Sequence, residues 1–103
     1  METVTALVEP DRLKSLTSRH AMEGGLEIAR TGVVRLTLVH PYEIAAQVST
    51  GTALMLVTLK SGLNGLSWSC TCWESLSQPT SPCAHCVAVA LATRERSSRS
   101  KRR

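Results

Sequence analysis

All four cysteines of this 103-residue chain fall between positions 70 and 86, and His85 stands among them. No other feature restricts the possible folds as much. The string runs Cys70-Thr71-Cys72, then ten residues, then Cys83-Ala84-His85-Cys86. Disulfides within it would close only short loops, which gain least from cross-linking, whereas disulfide scaffolds spread their cysteines to staple distant segments. Met1–Thr5 has neither a basic start nor a long apolar run, so no signal peptide is expected. No stretch approaches the roughly 20 apolar residues of a membrane span, and no membrane association is expected. A reducing cytoplasmic (intracellular) location follows as the expectation, and there the cluster reads as a metal site.

A structural Zn²⁺ takes four ligands in a tetrahedron, usually thiolate sulfur and imidazole nitrogen. Cys70 and Cys72, separated by one residue, can both point inward, and the ten-residue loop brings back a second pair. Pro82 holds Ser81 extended and sets up a helix at Cys83. The helix dipole there favours the thiolate that a metal requires. Composition strengthens the case. The chain has no Phe, one Tyr and two Trp, and it forgoes most of the about 150–250 Å² that each aromatic side chain buries. Small domains offset such a deficit with a metal or disulfides.

Hydrophobic periodicity predicts an α+β fold. Met1–Pro10 is a mostly polar lead, with Val4, Leu7 and Val8 as packing points. Asp11 to about Arg30 reads as a helix capped by Asp11, broken near Gly24-Gly25 and closed by Gly32. From Val33 the period becomes two, with Val34, Leu36 and Leu38 expected on one face. Strands follow at Ile44–Ser49, Ala53–Lys60 and Leu66–Ser69, joined by turns at His40-Pro41-Tyr42, Thr50-Gly51-Thr52 and Ser61–Gly65. These make an antiparallel sheet of three to four strands that delivers the chain to Cys70. After Cys83 a helix returns, with Cys86, Val87, Ala90 and Leu91 on one face and its end near Thr93-Arg94. The expected organisation is a zinc-anchored domain over residues 1–93 and a mobile basic tail over 94–103.

Cys-x-Cys followed by Cys-x-His at the head of an Ala-rich helix resembles the SWIM zinc finger, over roughly residues 11–93. That family occurs in bacterial proteins, Swi/Snf-type ATPases and plant Mutator-type transposases. The resemblance implies one structural Zn²⁺ on Cys70, Cys72, Cys83 and His85, and a role in nucleic-acid binding or protein–protein interaction. Two positions depart from it. Trp73 stands where many relatives have proline, and Cys86 where they carry an apolar residue. Cys86 also creates a rival set, Cys70, Cys72, Cys83 and Cys86, with His85 outside.

Catalysis is not expected. Catalytic zinc keeps an open position, nothing in the sequence supplies a general base beside one, and Cys83 with His85 makes a poor nucleophile–base pair. The lone His20 and His40 read as surface or turn residues. Trp68 reads as packing near the metal site, and Trp73 equally as packing or as a partner contact. The net charge of +4 is unevenly placed. Residues 94–103 hold six of the twelve Lys/Arg and one of the eight Asp/Glu, which leaves residues 1–93 at −1. Arg94, Arg96, Arg99, Lys101, Arg102 and Arg103 are therefore the candidate contacts to DNA or another nucleic acid. The near-neutral body instead suits a protein-docking subunit of a larger assembly, such as a Swi/Snf-type ATPase. A thiol redox sensor that ejects zinc on oxidation is the third reading.

Overall fold

The computed structural model describes residues 2–51, 53–63, 65–72 and 82–101. Three short helices precede the sheet: α1 (Val4–Leu7), α2 (Pro10–Leu16) and α3 (Arg19–Thr31). Strands β1 (Val33–His40), β2 (Glu43–Thr50), β3 (Ala53–Gly62) and β4 (Gly65–Cys70) follow, and α4 (Ala84–Lys101) closes the chain. The strands form one antiparallel sheet in the order β1-β2-β3-β4, so the architecture is α+β as the periodicity implied. Among the described residues, no helix is long and apolar enough to cross a membrane.

The helical region breaks in a different place from the one expected. Pro10 opens α2 with Asp11 in its first turn rather than at the cap, and Thr17 ends it. Ser18 then caps α3 by accepting a hydrogen bond from the Ala21 N–H at 3.1 Å. From there α3 runs unbroken through Gly24-Gly25 to a C-cap at Gly32. The two glycines are contact points, not breaks. A Cβ on Gly24 would lie 2.9 Å from Ala84 Cβ, and one on Gly25 would lie 2.4 Å from Val87 Cγ1. They let α3 approach α4 more closely than any side chain would allow, and this offsets glycine's poor helix propensity.

In the sheet, Ile44, Ala46 and Val48 of β2 and Val57 and Leu59 of β3 are buried on one face. Val34 and Leu36 of β1 pack on the same core, but Leu38 does not join them. The pairing register shifts between Leu36 and Leu38, so Leu38 sits opposite Ala45 and Val39 opposite Ile44. The extra residue, Thr37, reverses the alternation, and Leu38 is exposed. Gly51 supplies the positive φ (62°) that the β2–β3 turn needs. The lead segment is tied to the sheet by the Val4 N–H, which donates to the Pro41 carbonyl at 2.7 Å, and Val4 and Val8 are fully buried.

Helix α4 is the centre of the molecule, touching both α3 and the sheet. Five successive residues, Cys86 to Ala90, are fully buried, the mark of a helix covered on more than one side. The sequence suggested one apolar face, of which Val87 lies against Gly25; the burial extends beyond it to Ala88 and Val89. The helix also continues past its expected end near Arg94 to Lys101. The segment holds neither Gly nor Pro, and Arg, Glu, Ser and Lys all sustain a helix.

Gly25→Ala is expected to destabilise the fold by about 1–3 kcal/mol through overpacking against Val87, although alanine is the better helix former. A lowered melting temperature, in contrast to the rise that alanine gives at an uncrowded helical glycine, checks this.

Candidate metal centre

Cys70 is the last residue of β4, opposite Val57. The next residue is fastened to β3 twice. The Thr71 N–H donates to the Leu56 carbonyl at 3.2 Å, and Thr71 Oγ1 accepts from the Leu56 N–H at 3.1 Å. The hydroxyl thus takes the place a strand carbonyl would hold, and the main chain is free to leave the ladder at this point. Thr71 is exposed while Cys70 and Cys72 are buried, as side-chain alternation along extended backbone requires. Thr71 is the positioning residue that sequence reading passed over. Its signal was a β-branched hydroxyl residue between two cysteines at the end of an alternating strand.

The second pair is set by the start of α4. Cys83 lies just before the helix, and its carbonyl accepts the Val87 N–H at 3.1 Å. His85 lies in the first turn, half-buried, with Nδ1 3.7 Å from Cys83 Sγ. The ligand atoms of Cys70, Cys72, Cys83 and His85 all lie within 4.8 Å of one another. A tetrahedral site with metal–sulfur bonds of about 2.3 Å has sulfur–sulfur edges of about 3.8 Å. With metal–nitrogen bonds of about 2.0–2.1 Å the sulfur–nitrogen edge is about 3.6 Å, which the 3.7 Å between Cys83 Sγ and His85 Nδ1 fits. No pair of the four ligand atoms exceeds the sulfur–sulfur edge by more than about 1 Å. These four residues therefore lie close together and could bind one metal ion.

Electrostatics within the cluster turns on shared protons. The Cys83 thiol is driven well below its usual range, first by a hydrogen bond from Cys70 and then by one from Cys86. Cys70, as donor to Cys83, is pushed up to about 12, with burial adding to the rise. Cys86 is raised by its hydrogen bonds to Cys70 and Cys83 and by burial. Cys83 thus holds its proton less tightly than Cys70 and Cys86 hold theirs. A cation entering the cluster replaces those protons, so binding is coupled to proton release.

The remaining expected residues are placed as follows. Cys86 is fully buried with Sγ 3.7 Å from Cys83 Sγ, so it is both a core residue and a neighbour of the cluster. Trp68 sits opposite Leu59 and packs on the core. His20 and His40 are exposed and lie away from the cluster. Arg94 is half-buried. Arg96 is exposed beside a cleft also lined by Thr3, Thr5 and His40. Trp73, Arg102 and Arg103 lie outside the described residues, as do the side chains of Arg99 and Lys101.

Substitution separates the two ligand sets. His85→Ala is expected to weaken metal binding by more than the about 10–100-fold typical of losing an outer-shell partner, and Cys86→Ala to leave it unchanged. Competition titration against a chromogenic chelator measures both. No protein-family model, curated protein or solved structure matches the chain.

Proposed function

We propose that the chain is a SWIM-like module in which one structural Zn²⁺ clips the end of β4 to the start of α4, and that it serves as a non-catalytic accessory factor in nucleic-acid binding. The observation that carries this reading is the gathering of three sulfurs and one imidazole from those two element ends within 4.8 Å. Sulfur and nitrogen donors favour zinc over the hard, oxygen-seeking cations. The order of elements adds support. A helix leads to antiparallel strands, Cys-x-Cys closes the last strand and Cys-x-His opens a helix, which is the arrangement the resemblance implies.

Nucleic-acid contact is assigned to the basic end of α4 and the residues after it. Those ten residues carry a net +5 on a chain otherwise near neutral, and phosphate attraction needs charge more than a shaped surface. The second reading, a protein-docking subunit of a larger ATPase assembly without direct DNA contact, draws on the −1 charge of residues 1–93.

Two measurements test these readings. Metal analysis of purified chain is expected to give one zinc per chain. Cys70→Ser and Cys83→Ser are expected to unfold at least the C-terminal third, because structural zinc contributes about 10–16 kcal/mol in finger peptides against a total stability of about 5–15 kcal/mol for ordinary domains. Wild-type melting in both variants would remove the metal from its structural role. For the basic segment, Arg96, Arg99, Lys101, Arg102 and Arg103 are changed to Gln, which preserves helix propensity. The slope of log affinity for duplex DNA against log salt should then flatten by up to about 4.5. No DNA binding by either protein leaves the docking subunit.

A further inference from the structure

We propose that Cys83 and Cys86 are a peroxide-sensitive dithiol pair, and that a disulfide between them withdraws Cys83 from the metal site. The cluster holds one donor too many. Four ligand atoms fill a tetrahedron, yet a fifth, Cys86 Sγ, lies 3.7 Å from Cys83 Sγ and is fully buried. A buried small hydrophobe at this position requires no sulfur. Cys-x-x-Cys at a helix start is the spacing of dithiol redox pairs. Cys83 itself stands before the first residue of α4, so its side chain can rotate, with the Val87 N–H still bonded to its carbonyl, while the sulfurs close to the about 2.05 Å of a disulfide. Cys70 and Cys72 are the less suitable pair. Two residues apart on extended backbone, their Cα atoms are about 6.4–6.8 Å apart, at the outer limit for a bridge.

The oxidant is hydrogen peroxide, small enough to approach a pair of buried residues, Cys83 at 2% and Cys86 at 0% exposure. The Cys83 thiolate attacks one peroxide oxygen and breaks the O–O bond, giving a sulfenic acid and a hydroxide that takes a proton from solvent. Cys86 sulfur then attacks the sulfenic sulfur; its own thiol proton leaves with the departing hydroxide as water. In sum, two thiols and one peroxide give one disulfide and two waters. The two sulfurs lose two electrons in total and the peroxide gains them. Cys83 can no longer coordinate, and an ion left with three ligands dissociates.

This inference rests on the metal reading above, and the test keeps the two apart. The full chain, wild type and Cys86→Ala, is loaded with Zn²⁺ and treated with hydrogen peroxide. Released zinc is followed with a chromogenic chelator, and disulfides are mapped by peptide mass spectrometry. Wild type should release its zinc, show the Cys83–Cys86 bridge and regain zinc after reduction. Cys86→Ala should release it about tenfold more slowly and not recover on reduction, because an unresolved sulfenic acid proceeds to irreversible oxidation. Equal release and recovery in both proteins, or a bridge between other cysteines, overturns the proposal. The mapping is repeated on metal-free chain. If the chain takes up no zinc, the metal reading fails alone, while the presence or absence of the Cys83–Cys86 bridge still supports or overturns the pair.

Discussion

The junction between β4 and α4 is the constraint on which the rest of the molecule depends. The central helix buries every residue from Cys86 to Ala90. Such a helix gains stability only when held between the sheet and α3. One end of it lies at the cluster of Cys70, Cys72, Cys83 and His85 and one side against the glycines of α3. The inner faces of the strands then complete the core, with Val57 and Leu59 among the residues around the same cysteines. A core without Phe can be assembled this way because its small residues allow elements to approach closely, and close approach gives dispersion contacts that bulk would otherwise supply.

Much of this was legible in the residues. The alternation of Ile44, Ala46 and Val48 placed β2 and its buried face, and the spacing of the cysteines and His85 placed the cluster. What escaped sequence reading shares a cause: each feature depends on a distant partner. Gly24-Gly25 looks like a helix breaker until Ala84 and Val87 of α4 are known to lie against it. Leu38 looks inward-facing until the register of β1 on β2 reveals the extra residue. Cys86, Val87, Ala90 and Leu91 suggested a single buried stripe, because nothing local announces that α3 covers a second side. The helix break at Thr17-Ser18 is the exception. Its capping serine was readable locally, and sequence reading passed over it.

Thr71 gives the cluster an asymmetry. Its two bonds to Leu56, one through the main chain and one through the hydroxyl, fasten it to β3 and owe nothing to a metal, so Cys70 and Cys72 are held on the same side of the sheet's end. The other pair arrives on a helix start ten residues further along the chain. Closing a loop of that length costs about 2 kcal/mol in the length-dependent part of the chain entropy. Two of the four candidate ligands are thus aimed by the sheet, while Cys83 and His85 owe their places to the packing of α4 across that chain distance.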